Sequence, residues 1–392
     1  MGLVRIEGFH VALPLKKAIK HASHQRTESE SLIVRVTLDD GTVGFGEGVP
    51  RSYVTGETIE TALDALESVD LARQVGAPAS FESAVDRIAS IRLPSIEDDP
   101  RGMFGNAARC AVELALLDAF GRRFGRSLSD AIRHLIAGRP YLRDRPGPVR
   151  YSGAITAEGA RKERISAWKM RIYGFHQVKV KVGVSGQDDP TRLRQIRTIL
   201  GNRTDLRIDA NEAWSADELP ERVAPLLDSK PSVLEQPVPH RDVERLADLR
   251  GRLGIPVMLD ESLCGAPDGV RAIDAGLADL FNVRLSKCGG IAPTLRLIDL
   301  AFQHGLGVQL GCHPGESGIL SAAGRHLASN LLGLRYLEGS YDRHVLAENL
   351  TAPDITFRYG GRAQPLPGPG LGVTVQDAPL ERMTVARREL SP

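Results

Sequence analysis

From residue 149 onward the chain keeps a rhythm that few folds tolerate. Eight short apolar segments recur, VRYSGAI, QVKVKV, DLRIDAN, SVLEQP, PVMLDE, DLFNVR, GVQLGC and LRYLEG, each followed by a stretch of helical character. Landmarks near the ends of six consecutive segments, Lys181, Asp209, Glu235, Asp260, Arg284 and Leu310, stand 28, 26, 25, 24 and 26 residues apart. A strand with its crossover helix occupies about 25–30 residues, so these are consecutive β/α units. Eight such units close a barrel of the TIM type. An open doubly wound sheet would carry a glycine-rich turn after its first strand, and the sequence has none.

The barrel is assigned residues 145–345, which leaves material on both sides. LVRIEGFHVALPL and SLIVRVTLDDGTVGFGEG read as strands, the second broken by the turn Asp40-Gly41. The polar segment KKAIKHASHQRTESES between them reads as a loop. From Glu57 to Arg123 the pattern turns helical, and an Ala/Leu-rich run over 106–120 stops at Gly121. Strands followed by helices suggest an α+β domain over 1–130. Residues 346–392, with GRAQPLPGPGLGV, suggest an extended segment packing back on that domain.

Composition narrows the function classes. With 42% hydrophobic and 25% charged residues this is an ordinary globular chain, not a disordered or fibrous one. No run approaches the ~20 apolar residues of a membrane helix, and the first residues alternate like a strand, unlike a signal peptide. Fifty Lys+Arg against 49 Asp+Glu give a net charge of +1, so the total charge offers no reason to expect nucleic acid or membrane as partner. Cys110, Cys264, Cys288 and Cys312 show no metal spacing and read as buried thiols of a cytoplasmic protein.

In a TIM barrel the site lies at the C-terminal strand ends. Lys179 and Lys181 share one face of the second strand, and Asp209, Glu235 and Asp260 end the next three. A lone acid there would be a salt bridge or a helix cap. Three at matching heights converge, and they cannot all stay ionised without a cation. All-oxygen donors favour a hard ion, Mg²⁺ by preference and Mn²⁺ as substitute. The paired lysines are expected to lower one another's pKa toward a general-base value, with Lys181 the better placed for proton transfer.

KVKVG, DANEAW, LEQP, LDES and NVRLSKCGG, in that order and spacing, resemble the enolase superfamily and are most similar to its muconate-lactonising subgroup. VPRSYVTGET and NAARCAVELALLDAFGRRFG resemble its capping domain, and ESGILSAAGRHLA its seventh barrel unit. The resemblance implies a modified (β/α)₇β barrel with an α+β capping domain and a homo-oligomer. It implies abstraction of the proton α to the carboxylate of a small-molecule substrate, with the enediolate held on Mg²⁺. Asp209, Glu235 and Asp260 would then be ligands and Lys181 the base.

One position departs from the subgroup, which ends its sixth strand in a second catalytic Lys. Here the triplet is Asn282-Val283-Arg284, with Lys287 three residues on. Arg is a fixed cation and a poor base, so one-base chemistry is expected: syn elimination of water or cycloisomerisation. The alternative is a racemase or epimerase of an amino-acid derivative, with Arg284 or Lys287 on the second face. From other classes, a metal-dependent hydrolase would want His at the strand ends, and a non-catalytic barrel would have shed the charges. Substrate-facing or supporting roles are assigned to Glu316, His313, Asn211 and Glu261, the last read as pointing away from Asp260, or as the ligand in its place if the strand is rotated. In the capping domain they fall to His24 and Arg26, with His21 and Ser23 beside them, and to Tyr53 with Arg51 and Ser52. Cys312 and Pro314 break the Asp-x-Asp of dipeptide epimerases, which disfavours dipeptides, and Trp214 reads as packing.

Overall fold

The computed structural model describes residues 2–20, 25–95, 105–156 and 159–390. Four antiparallel strands form the first sheet, in the order Thr384–Leu390, Leu3–Lys20, Gln25–Leu38 and Val43–Gly48. The polar segment expected to be a loop is largely strand. The first strand runs to Lys20, the second restarts at Gln25, and pairing persists from Ile19–Arg26 inward past an irregularity after Pro14. Lys16, Lys17, Ala18, Thr27 and Glu28 are exposed, and a ribbon paired through its backbone needs no apolar face, so these side chains give no strand signal.

Against this sheet lies the helix Asn106–Phe124, almost wholly buried. The contact is set by composition. Gly44, Gly46 and Gly48 alternate on one face of their strand, and Ala107, Ala111, Ala115 and Ala119 recur every fourth residue on the helix. A β-carbon at any of the three glycines would overlap the carbonyl oxygen of Ala115, Ala111 or Ala107. Backbone thus packs directly on backbone.

The second sheet has eight parallel strands: Gly153–Ile155, Gln177–Lys181, Asp205–Asp209, Leu234–Glu235, Val257–Leu259, Leu280–Val283, Gly307–Leu310 and Leu334–Leu337. Helical connections separate successive strands, seven in all, so the barrel is of the (β/α)₇β kind. The first strand is shorter than VRYSGAI suggests. Val149–Arg150 pairs instead with Arg362–Ala363 in a separate ribbon. First and last barrel strands meet where the Ser152 N–H donates to the Leu337 carbonyl at 2.8 Å.

Buried carboxylates fasten the two parts together at helix N-termini, where orphan N–H groups and the helix dipole favour an anion. Glu47 accepts from the Ser317 N–H at 2.9 Å, the Ser317 hydroxyl at 2.7 Å and the Leu320 N–H at 3.2 Å, capping the barrel helix Gly318–Asn330. Glu113, paired with Arg109 at 3.1 Å, accepts from the Ile291 and Ala292 N–H groups at the start of Ile291–Gln303. Within the capping domain, Glu57 caps Asn106–Phe124 through the Ala107 and Ala108 N–H groups.

His326 marks a three-way junction of helix Gly318–Asn330, the capping domain and the C-terminal segment. Its ring nitrogens bridge the Ser129 hydroxyl and the Leu371 carbonyl, both at 3.0 Å. Burial pushes its pKa down to about 4. The unfolded chain takes up that proton near pH 6.5 and the native chain does not, so stability is lost as pH falls from about 6.5 to 4, by about 3 kcal/mol in all. Urea unfolding of wild type and His326→Asn across this range should show a pH-dependent gap: the wild type's advantage shrinks as the pH falls.

Candidate active site

Two layers fill the barrel. Val233, Met258, Leu280 and Tyr336 form a small apolar cluster of their own. Two residues on from each come Glu235, Asp260, Asn282 and Glu338, Glu235 and Asn282 by alternation within their strands and Asp260 and Glu338 just past their strand ends. Register places Lys181 opposite Asp209 and Asp209 opposite Glu235, one row across three strands.

Lys179 is the hub. Its ammonium lies 3.1 Å from Asp209, 3.3 Å from Glu235 and 3.1 Å from Glu338. Arg207, fully buried over the ring of Tyr336, donates to Glu338 at 3.1 Å and to Gln309. Asn282 donates to Glu235 at 2.7 Å. The expectation of mutually lowered lysines therefore fails for Lys179. Burial alone would lower its pKa, but Glu235, Glu338 and Asp209 outweigh burial and hold it well above the ordinary value. Lys181 is partly exposed at the strand end, and its ammonium makes no ion pair among the described residues.

A second cluster surrounds Asp260. Arg284 pairs with one of its carboxylate oxygens. Lys287, wholly buried, donates to the other at 2.8 Å, to the Asp260 carbonyl at 2.6 Å and to the Asn282 carbonyl at 2.8 Å. Those three acceptors use all three ammonium protons, so Lys287 supports Asp260 and is not a base facing substrate. Burial would raise the Asp260 pKa, but Arg284 and Lys287 pull it below its ordinary value. The sixth strand lies four places from the second in an eight-stranded ring, so Arg284 stands across the barrel from Lys181.

Glu261 does not point away. The fifth strand ends at Leu259, so Asp260-Glu261 is a turn and alternation no longer applies. Glu261 accepts from the Asn211 amide at 3.1 Å, and burial with the charges of Asp260 and Asp209 pushes it to about 8. Left-handed backbone at Asn211 (φ 42°) and Gln236 (φ 34°) shapes two strand ends. Gln236 holds its strained place by donating to Val238 and Ser262 at 2.8 Å and accepting from the Asp260 N–H at 2.9 Å, which fixes Asp260 relative to Glu235.

Around the mouth, His313 is buried and its Nε2 has no hydrogen-bond partner among the described residues. Burial and the guanidinium groups of Arg284 and Arg51 keep its pKa well below the usual value, so the ring is neutral. Glu316 accepts from the His313 N–H at 3.0 Å. Val54 packs on Cys264, which brings the segment with buried Arg51 and exposed Tyr53 to the barrel rim. Trp214 is buried. His21, Ser23 and His24 lie outside the described residues, as does the Arg26 side chain.

Among the described residues no three His, Cys, Asp or Glu side chains surround a common point as they stand. Lys179 sits between Asp209 and Glu235, and Arg284 takes Asp260. The donor chemistry nonetheless fits a hard divalent cation. Three carboxylates end neighbouring strands, all buried, and burial still leaves Glu235 raised to about 7 despite Lys179. Glu338, Arg207, Gln309 and Gln236 were not foreseen. Glu338 had a signal, since LRYLEG ends in an acid as the neighbouring segments do, but the other three sit inside motifs read for a different residue.

Residues 162–378 match the family described as "Enolase C-terminal domain-like", and residues 4–132 match "Mandelate racemase / muconate lactonizing enzyme, N-terminal domain". The chain is 26% identical to a hydrophobic dipeptide epimerase of Enterococcus faecalis, over 96% of each chain. It is 29% identical to muconate cycloisomerase 1 of Rhodococcus opacus, over 95% of this chain and 96% of that one. A crystal structure of a dipeptide epimerase from Cytophaga hutchinsonii, complexed with Mg and D-Ala-L-Val, superposes with a TM-score of 0.82 at 26% identity over all of both chains.

Removing the hub charge should expose its structural share. Lys179→Met leaves three facing carboxylates without their shared cation and should cost about 3–5 kcal/mol in urea unfolding measured in EDTA. A loss under about 1 kcal/mol would show that the cluster relaxes without it.

Proposed function

Because the chain belongs to the enolase superfamily, in its mandelate racemase/muconate lactonizing enzyme group, we propose that it removes the proton α to the carboxylate of a small amino-acid derivative and inverts that carbon. The observation that carries this reading is the row Lys181, Asp209, Glu235, in which a partly exposed lysine adjoins buried carboxylates at the strand ends. The sequence expectation placed elimination or cyclisation first. Most of the named relatives are racemases or epimerases of amino-acid derivatives, and this moves the preferred reading to the former alternative.

In this reading the Lys181 amine takes the α-proton from one face, and a proton that reaches the opposite face from solvent completes the inversion, since the Arg284 guanidinium there does not give one up. Lys179, kept protonated by its carboxylates, places fixed positive charge where negative charge develops on the substrate carboxylate. Asp209, Glu235 and Asp260 would hold Mg²⁺, which when bound supplies divalent charge to the same oxygens. Arg284 adds a fixed cation from across the ring, while Lys287 and Gln236 keep Asp260 in place. One observation favours a second reading, syn elimination or cycloisomerisation on one face. The group opposite Lys181 is a guanidinium, which does not exchange protons at ordinary pH.

Incubation of N-acyl amino acids, dipeptides, hydroxy acids and lactones in D₂O tests both readings. Inversion predicts deuterium at the α-carbon with both configurations recovered. One-face chemistry predicts loss of water or ring closure, with no inverted material. EDTA should abolish the reaction and Mg²⁺ or Mn²⁺ restore it. Lys181→Ala should slow exchange by about two orders of magnitude or more. Full activity after EDTA, or exchange in Lys181→Ala at the parental rate, would overturn the assignment.

A further inference from the structure

The helix Ala160–Ile172, which follows the first barrel strand, is amphipathic in a direction that the barrel does not use. Glu163 and Ala167 face inward. On the opposite side Ile165 is 47% exposed, Trp168 48% and Ile172 68%. At 100° per residue these three fall within an arc of about 60°. Tyr359, also exposed, prolongs the stripe past the helix end, its ring 5.7 Å from that of Tyr173.

Cations line both flanks. Lys162 and Lys169 lie on one side of the stripe, Arg164 and Arg171 on the other, and Arg161 at its start. None of the five has an ion-pair partner among the described residues. Exposed arginines elsewhere are commonly paired, as Arg245 is with Asp217, Arg382 with Glu348 and Arg388 with Asp64. The helix's one acid, Glu163, is buried and held by Arg192 at 2.9 and 3.0 Å. Arg171 lies over the Trp168 ring at 5.5 Å, which holds an aromatic and a cation side by side.

We propose that this face docks on an anionic lipid surface. Charge decides against a second copy of the chain. Any two-fold pairing of the stripe with itself sets these cations against their own copies, and juxtaposed like charges cost affinity. Shape decides against an acidic protein segment as the preferred occupant. The stripe is an outward ridge, and a ridge of Trp and Ile bordered by long cationic side chains suits a flat interface. There the apolar groups enter the headgroup layer, while Lys and Arg stems lie along it and their heads meet phosphate. Apolar and cationic parts together supply the two signals that stable peripheral binding needs. The chain's net charge of +1 conceals this local excess.

The chain supplies its own reporter. Of its two tryptophans Trp214 is buried and Trp168 is exposed, so Trp214→Phe leaves emission from the ridge. Full-length protein should sediment with phosphatidylcholine vesicles containing about a third phosphatidylserine and not with phosphatidylcholine alone. Trp168 emission should shift to the blue on binding, and high salt should reverse both effects. Lys162→Glu/Lys169→Glu should weaken partition by about tenfold or more, with circular dichroism and the unfolding midpoint unchanged. Failure to bind anionic vesicles at low salt would overturn the proposal. So would Trp168 emission that is already blue and moves red on dilution as the mass falls, since that places a second copy on the ridge. A shift with poly-glutamate and none with vesicles would assign the face to a protein partner instead.

Discussion

Lys179 reaches Asp209, Glu235 and Glu338, and each contact crosses to a different strand of the ring. Without a cation inside, carboxylates on the third, fourth and eighth strands would repel across a space from which water is largely excluded. With one they become a cross-brace. Arg207 repeats the arrangement lower down, joining the third strand to the seventh and eighth through Gln309 and Glu338. The upper barrel interior is thus held by charge and its lower part by apolar packing. The residues positioned for chemistry are also those whose pairing keeps the ring together.

Asp260 is served differently. Arg284 and Lys287 come from the sixth strand end and the short helix after it, and Gln236 from the turn after the fourth. Asp260 is therefore held from both neighbouring strands, while Asp209 and Glu235 share the hub. The two clusters meet at Asn282, whose amide donates to Glu235 and whose carbonyl accepts from Lys287. A displacement of either cluster is felt by the other through this one residue.

The barrel was legible because its period is set by geometry: a strand plus a crossover helix has a nearly fixed length, and strand ends sit at that spacing. Lys179, Lys181, Asp209, Glu235, Asp260 and Arg284 follow from the same rule. What the rule does not contain is partnership at long range. Glu47 caps a helix whose first residues lie 270 positions away, and nothing near Glu47 in sequence marks that role. Lys287 read as a candidate base because its exposure is a tertiary property. The reversed side of Glu261 has a local origin, since alternation does not hold two residues past Leu259, where the strand ends. The polar first hairpin carries no strand pattern because Lys16, Lys17, Ala18, Thr27 and Glu28 are exposed on both of its faces, and the pattern is what strand recognition depends on.

The eight strands are not joined with equal strength. Most neighbours share a ladder of register pairs, but the first and last meet through the Ser152 N–H and the Leu337 carbonyl, helped by Gln177, whose amide reaches the Arg335 carbonyl at 3.0 Å. A ring with one lightly stitched seam has a preferred place to breathe. Amide protons on either side of it should be the first in the barrel to trade with solvent, and a permuted chain that begins just before Gly153 would place its new ends where the ring already gives way most readily.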